Sequence, residues 1–358
     1  MSSIESVRQK IDALDTELLS MLNKRIDLAK EIGEIKVKQD GEQALIYRPE
    51  REAQVLRRLK SENSGHLQDE QIDVLFREVM SISRGAEARL SVAVLGPEGT
   101  FSEMAGKKQF GSSVNIIGLS RIEEVFTAVE NGTANYGVVP VENSTEGGIS
   151  ATADSLVNSN CKISGEVYLP IHQFLLSNAG SLDAITTVYS HGQSLAQCRN
   201  WLLQKLPHVE VVSVGSNAVA AKMAAEAPDT AAIAGEIAAV QYQLNILARN
   251  IEDESDNTTR FLVISKEGVL SSGNDKTSLL ISCTNRPGGL FALLKPLNDH
   301  NISMLRIESR PAKSKRWDYL FFVDIEGHQL DENMSNALDA LLKEADLFRV
   351  LGSYPRAD

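Results

Sequence analysis

The feature that most constrains the fold is a long run of apolar residues spaced three and four apart at the start of the chain. The run extends from Ile4 to Ile35 and is interrupted at Arg25. This spacing predicts one amphipathic helix of about 35 residues and about 50 Å. A domain of roughly 90 residues is too small to bury the whole apolar side of such a helix. We therefore expect the helix to pair with another copy of the chain.

Two shorter helices complete this first segment. Glycine and charged residues between Gln39 and Gln43 break the long helix, and Pro49 is suited to begin the next one. Apolar residues from Ile72 to Ile82 mark a third helix. The pattern predicts an all-α domain over residues 1–90.

The hydrophobic pattern changes near residue 91, where short buried strands begin to alternate with helices. This alternation predicts an α/β domain with mostly parallel sheets over residues 91–267. The strands divide into two sets, which indicate two lobes with a ligand cleft between them. The first set is 92–95, 136–140 and 260–264, and the second is 172–176, 186–189 and 231–233.

The C-terminal segment forms a third domain. Residues 268–276 have the composition of a linker. Residues 275–358 then follow the order strand, helix, strand, strand, helix, strand, which predicts a ferredoxin-like βαββαβ domain.

Composition excludes several classes of function. The net charge of −12 argues against nucleic acid as a partner. The three cysteines are scattered without metal-ligand spacing, so we expect no metal and no cofactor. A glycine-rich dinucleotide motif does not follow the strand at 92–95, which disfavours a dehydrogenase. No apolar run approaches the roughly 20 residues of a membrane span and no signal-peptide core is visible, so we expect a cytoplasmic protein without membrane contact.

Cationic residues on the long helix suggest an anion site. Arg25 and Lys36 lie about 20° apart around the helix, whereas Arg8 lies about 100° from Arg25. Arg8 and Arg25 therefore cannot easily face one pocket from one helix, and a partner chain must contribute one of them. Together with Arg51-Glu52 after Pro49, these residues resemble the all-helical chorismate mutase family over nearly all of residues 1–90.

The resemblance implies that arginines bind the two carboxylates of chorismate while Lys36 donates a hydrogen bond to the ether oxygen. The second donor position is occupied by Glu87, which must be protonated to help, so mutase activity should rise as pH falls. The remaining positions implied to contact the substrate are Arg8, Arg25, Arg48, Glu52 and Ser83. Arg48 departs from the family pattern, which favours Glu52 for the substrate hydroxyl. A helix that only dimerises is the alternative interpretation.

Four polar signatures mark the central domain. They are Gly96-Pro97-Glu98-Gly99-Thr100-Phe101-Ser102, Glu142-Asn143-Ser144-Thr145, Ser190-His191-Gly192-Gln193 with Gln197, and Thr258-Thr259-Arg260-Phe261. Each lies at the end of a predicted strand or at the start of the helix that follows, where ligands collect in open α/β sheets. In this order they resemble the prephenate dehydratases, whose two lobes are similar to those of periplasmic binding proteins.

The resemblance implies loss of the ring carboxylate and the C4 hydroxyl of prephenate. Thr259 is the candidate donor to the leaving hydroxyl, and Arg260 anchors the side-chain carboxylate or orients the threonine. A relay of the proton through His191 or water stays open. The other residues implied to bind substrate are Thr100, Asn143, Ser144, Ser190 and Gln193. Individually, such residues are also ordinary helix caps or structural groups.

The C-terminal domain resembles the ACT domains of phenylalanine-controlled dehydratases. The matching residues are Arg286-Pro287-Gly288-Gly289-Leu290-Phe291 and Glu308-Ser309-Arg310-Pro311. The resemblance implies that phenylalanine binds between paired modules and inhibits the enzyme, with Gly288, Gly289, Leu290, Glu308, Ser309 and Arg310 at the site. Turns and a dimer contact are the alternative interpretation.

The three resemblances together predict a homodimeric or larger enzyme that converts chorismate to prephenate and prephenate to phenylpyruvate. Two alternatives remain at this stage. One is a dehydratase with an impaired mutase, because of Arg48 and Glu87. The other is a ligand sensor that has lost catalysis.

Overall fold

The computed structural model describes residues 3–40, 46–284, 286–312 and 319–357. The chain divides into two compact units. One comprises residues 1–90 and 109–115, and the other comprises residues 91–108 and 116–358.

Three helices form the first unit, as predicted: α1 (Ile4–Asp40), α2 (Pro49–Glu62) and α3 (Asp69–Glu87). Pro49 occupies the first turn of α2, and reciprocal side-chain bonds between Gln68 and Gln71 cap the start of α3. The predicted break after Gln39 falls mostly on residues 41–43, outside the described residues. Within one chain the apolar side of α1 stays exposed, with Leu14 63% accessible.

The first lobe of the second unit has a sheet in the order β2-β1-β3-β11-β5, with β4 added to β3. Its strands are β1 (Ser91–Leu95), β2 (Asn115–Leu119), β3 (Tyr136–Asn143), β4 (Gly147–Gly148), β5 (Lys162–Pro170) and β11 (Thr258–Ser265). Its helices are α4 (Phe101–Phe110), α5 (Ile122–Asn131) and α6 (Ser150–Asn158).

The second lobe has a sheet in the order β10-β6-β9-β7-β8. Its strands are β6 (Phe174–Ser177), β7 (Thr187–His191), β8 (Glu210–Val214), β9 (Thr230–Ala234) and β10 (Asn245–Ala248). Its helices are α7 (Gly192–Gln197), α8 (Arg199–Lys205), α9 (Asn217–Glu226) and α10 (Glu236–Gln241), with a 3-10 turn at Leu182–Ala184. The predicted assignment of strands to two lobes is confirmed.

The prediction of mostly parallel sheets is wrong, because both sheets are mixed. β1 pairs with β3 in parallel, but β11 runs antiparallel to both β3 and β5. The reason is the path of the chain, which leaves the first lobe at the end of β5 and returns to it at the start of β11. One strand takes the chain out of the lobe, and the adjacent strand brings it back from the same side. The two strands must therefore run in opposite directions.

The C-terminal part has the predicted βαββαβ order and an antiparallel sheet in the order β13-β14-β12-β15. Its elements are β12 (Asp275–Ser282), α11 (Gly289–Asp299), β13 (Met304–Pro311), β14 (Tyr319–Glu326), α12 (Glu332–Glu344) and β15 (Leu347–Pro355). The first strand starts inside the predicted linker, at Asp275.

Candidate active sites

A cavity of about 600 Å³ is lined by residues of both lobes. Thr100, Asn143 and Thr259 reach it from the first lobe, while His191 and Gln193 reach it from the second. Four of them lie where a strand ends or the following helix begins, as the sequence predicts for open α/β sheets, whereas Thr259 lies at the start of β11. Among the described residues that line this cavity, none is lysine or arginine.

Asn143 and Thr259 are joined by a hydrogen bond whose direction is fixed. The Asn143 Oδ1 accepts from the backbone N–H groups of Thr145 (3.0 Å) and Glu146 (3.3 Å), which can only donate. The Asn143 Nδ2 must therefore be the donor to Thr259 Oγ1, at 2.8 Å. Because Thr259 accepts this bond, its own hydroxyl proton is available to an acceptor in the cavity.

Arg260, one residue further along β11, points to the other side of the sheet. Its guanidinium pairs with Glu166 at 2.9 Å and Asp324 at 2.7 Å, and donates to the Tyr354 hydroxyl at 3.1 Å. Burial alone would lower the pKa of Arg260, but Tyr354, Asp324 and Glu166 raise it above its ordinary value. The arginine is therefore a permanent cation that links β11 to the C-terminal sheet, and it does not line the cavity.

Two other predicted contacts also lie outside the cavity lining. Ser144 Oγ accepts from the backbone N–H of Thr258 at 3.0 Å, which holds the turn after β3 against β11. Ser190 is fully buried, with Oγ 2.6 Å from the carbonyl oxygen of Ile233 and 3.0 Å from Asn217 Oδ1. Both serines stabilise the frame around the cavity.

Several lining residues were not assigned a role from the sequence: Gln173, Ser194, Gln197, Asn217 and Asn257. Asn217 Oδ1 accepts from the backbone N–H of His191 at 3.1 Å, and its Nδ2 donates to Ser194 at 2.8 Å. Gln197 belongs to a predicted signature and Asn257 directly precedes one, which is a usable sequence signal. Gln173 and Asn217 stand in segments without such a signature.

In the helical unit, four predicted residues come together. Arg25 Nη1 donates to the Ser83 hydroxyl and to the Val79 carbonyl oxygen, the latter at 3.3 Å. Lys36 Nζ lies 3.1 Å from Glu87 Oε2. Burial lowers the pKa of Arg25, while the nearby Glu87 raises it. The first and third helices thus place two cations beside one carboxylate.

The other three predicted residues of this unit lie elsewhere. Glu52 forms an ion pair with the buried Arg84, a residue that the sequence did not single out. Arg48 lies 3.7 Å from Glu50. Arg8 is exposed and 3.9 Å from Glu5.

The C-terminal part has a smaller cavity, of about 210 Å³, at the start of α11. Gly288, Gly289 and Leu290 line it. Gly288 has a φ of 77°, and a Cβ on Gly289 would lie 2.9 Å from the Thr284 carbonyl oxygen, so glycine suits both positions. Glu308, Ser309 and Arg310 lie on β13 and do not line this cavity in one chain.

Residues 3–40, 46–284, 286–312 and 319–357 contain no group of three or more His, Cys, Asp or Glu side chains placed to hold a metal ion. The helices of the same ranges include none with the length and apolar character to cross a membrane.

Three protein families match successive parts of the chain. They are chorismate mutase type II over residues 7–88, prephenate dehydratase over residues 92–269 and the ACT domain over residues 277–343.

Similar proteins match along the whole length. The bifunctional chorismate mutase/prephenate dehydratase of Neisseria gonorrhoeae is 48% identical over 353 residues, covering 98% of this chain and 96% of that protein. The protein of the same name from Pseudomonas aeruginosa is 45% identical over 357 residues, covering 99% and 98%. A crystal structure of prephenate dehydratase from Arthrobacter aurescens in complex with L-Phe has a TM-score of 0.69 and 34% identity, covering 75% of this chain and 91% of that one. The chain therefore belongs to the family of bifunctional chorismate mutase/prephenate dehydratases with a C-terminal ACT domain.

Proposed function

We propose that the interlobe cavity removes the ring carboxylate and the C4 hydroxyl of prephenate, with Thr259 as the donor to the leaving hydroxyl. The observation that carries this assignment is the fixed bond from Asn143 to Thr259, which directs the threonine proton away from Asn143. The C1–carboxylate bond breaks to release CO2, its electron pair enters the ring, and the C4–O bond breaks. The departing hydroxide takes up one proton from solvent, through the Thr259 hydroxyl, and leaves as water.

A lining without lysine or arginine among the described residues suits this chemistry. Decarboxylation needs the electron pair of the ring carboxylate, and a close cation would hold that pair in place. The described cavity residues offer hydroxyl and amide groups instead, such as Thr259 and Asn143. Arg260 positions the threonine through the shared strand, with its charge satisfied by Glu166 and Asp324.

We further propose that the helical unit rearranges chorismate to prephenate without acid, base or metal. Arg25 and Lys36 lie together in one chain, and Lys36 can donate to the ether oxygen on which negative charge develops. Arg8 is exposed and stands apart from them, so a second copy of the chain would supply it. The exposed apolar side of α1 supports such a dimer.

Incubation of the purified protein with chorismate, following chorismate loss and phenylpyruvate formation separately, tests both activities. We expect chorismate to be consumed and phenylpyruvate to form. Prephenate that accumulates without phenylpyruvate would remove the dehydratase assignment. Unchanged chorismate, with prephenate still converted, would favour an impaired mutase, for which the pairing of Lys36 with Glu87 at 3.1 Å is a specific reason.

The dimeric mutase site can be tested by mixing two inactive variants. Arg8→Ala and Arg25→Ala should each lose mutase activity. After unfolding and refolding together, mixed dimers contain one intact site, so about a quarter of the wild-type activity should return. No recovery in the mixture, with mixed dimers shown to form, would place both arginines in one chain.

We propose that phenylalanine inhibits the dehydratase from the ACT domain. Gly288, Gly289 and Leu290 form one half of the site, and Glu308 to Arg310 of a second copy would complete it. The β13 strand also touches the dehydratase: Arg306 pairs with Glu142 at 2.8 Å, and Arg310 donates to the Ser150 carbonyl oxygen at 3.2 Å. Glu142 to Ser150 bracket Asn143 and the cavity residues Gly147 and Gly148.

Titration calorimetry with phenylalanine should show saturable binding, and binding should lower the dehydratase rate. The absence of saturable heat would contradict the sensor assignment. Because both reactions belong to amino-acid biosynthesis, we also propose a cytoplasmic location.

A further inference from the structure

Two residues that line the dehydratase cavity each carry a buried amide atom without a hydrogen-bond partner among the described residues: Gln173 Oε1 and Asn257 Nδ2. Their residues are only 1% and 4% exposed. Gln173 directly precedes β6 and Asn257 directly precedes β11, so they lie on the two segments that connect the lobes. Buried polar atoms are normally paired, so such an exception in a ligand cavity calls for an explanation.

The orientation of the Asn257 amide follows from its neighbours. Asn143 Nδ2 is a donor, because Asn143 Oδ1 accepts from two backbone N–H groups. The atom of Asn257 that lies 2.8 Å from Asn143 Nδ2 must therefore be the acceptor, Oδ1. A hydroxyl of Thr145 lies 3.2 Å from the same oxygen. The unpaired atom is consequently a donor, Nδ2–H, rather than an oxygen.

This donor is adjacent to the proposed catalytic hydroxyl. Asn257 Oδ1 and Thr259 Oγ1 both lie 2.8 Å from the same nitrogen, Asn143 Nδ2. The substrate carries two carboxylates, whereas the described cavity lining contains no lysine or arginine. Uncharged N–H and O–H donors are therefore the candidates to bind its oxygens, and Asn257 has an N–H donor that no group of the described residues uses.

We propose that Asn257 is a substrate-binding residue of the dehydratase, whose Nδ2–H donates to a carboxylate oxygen of prephenate beside Thr259. This inference rests on the proposed dehydratase function. Asn143 Nδ2 holds the Oδ1 atom of Asn257 at 2.8 Å, which fixes the orientation of the amide. The Nδ2–H donor of Asn257 is therefore already oriented before prephenate enters. Binding at Asn257 would also join the substrate to the segment that returns the chain to the first lobe.

The test uses the full-length enzyme with prephenate supplied directly. Asn257→Asp keeps the shape and the accepting oxygen but replaces the donor with a negatively charged acceptor. Asn257→Ala removes the amide without adding charge. We expect the KM for prephenate to rise about tenfold in Asn257→Ala and further in Asn257→Asp, because the carboxylate repels the dianion, while kcat falls less than KM rises.

Thr145→Val is the matched control, because it removes the hydroxyl that lies 2.8 Å from Asn143 Oδ1 and 3.2 Å from Asn257 Oδ1 and leaves the Nδ2 donor in place. Its KM should rise less than threefold. The inference is overturned if both Asn257 variants keep the wild-type KM, or if they and Thr145→Val lower kcat alike at an unchanged KM, which would mark a structural role. A wild-type protein that leaves prephenate unconverted would instead refute the dehydratase assignment itself. Melting temperature and mutase rate, measured on the same preparations, report on folding.

Discussion

In the helical unit, charged side chains form the candidate site. Arg25, Lys36 and Glu87 lie on two packed helices and contact one another or their immediate neighbours. The interlobe cavity instead presents mainly amides and hydroxyls, together with Glu146 and His191, and the signature cation Arg260 is turned to the far side of the sheet. Both sites are proposed to bind a dianion derived from the same carbon skeleton, so the difference reflects the reaction rather than the ligand charge.

The two reactions place charge differently. The mutase must stabilise negative charge that develops on an ether oxygen, and fixed cations do this well. The dehydratase must let a carboxylate lose its electron pair, which a close cation would oppose. The comparison therefore predicts that removing a cation damages the first site most, and that removing a neutral donor damages the second.

The largest expected effect is that of Lys36→Met on the mutase. This change removes the donor to the ether oxygen and leaves Glu87 facing the substrate, so kcat should fall by about 10³. The dehydratase rate with prephenate should stay within twofold of wild type. A small loss in the chorismate assay would show that Lys36 serves only to hold Glu87.

Thr259→Ala should lower the dehydratase kcat by about 10², because it removes one hydrogen-bond donor at the leaving hydroxyl. Thr259→Ser is the matched control and should retain most of the rate, since it keeps the hydroxyl that Asn143 orients. Mutase activity should be unchanged in both variants. Near-normal phenylpyruvate formation by a folded Thr259→Ala protein would exclude Thr259 from the reaction.

The limits of sequence interpretation follow from the same comparison. Helix and strand periodicity predicted the three classes of fold, because each fold depends on where apolar residues recur. Motif position also placed Thr259 and Asn143 at the strand ends that line the cavity. Alternation along a strand implies that Arg260 faces away from Thr259. The partners of Arg260 were not predictable, because they lie 94 residues before it, at Glu166, and 64 after it, at Asp324.

The mixed direction of the sheets was missed for a related reason. A local pattern of alternating strands and helices does not reveal that the chain leaves one lobe after β5 and returns through β11. Gln173 was missed because its importance comes from a position between lobes and not from a motif.

A matched pair of arginine variants, one for each candidate site, should show a smaller effect on activity. Arg25→Lys should raise the KM for chorismate about tenfold, since a lysine cannot form the planar two-point contact with a carboxylate. Arg260→Lys should leave the KM for prephenate within twofold but lower the melting temperature by a few degrees, because bonds to Glu166, Asp324 and Tyr354 are lost. A large rise in the prephenate KM at unchanged stability would mean that Arg260 contacts the substrate.

The smallest expected effect concerns Glu87, the acid that lies beside Lys36 in the helical unit. If Glu87 must carry a proton to assist the ether oxygen, the mutase rate should rise as pH falls, by at most about tenfold per pH unit because one proton is involved. Glu87→Gln supplies a neutral donor at every pH and should flatten this dependence while raising the rate near neutrality. The dehydratase, measured on the same samples, controls for general effects of pH. A flat mutase profile in the unmodified protein would show instead that Glu87 acts as the ionised partner of Lys36, 3.1 Å away, and that the cations alone provide the catalysis.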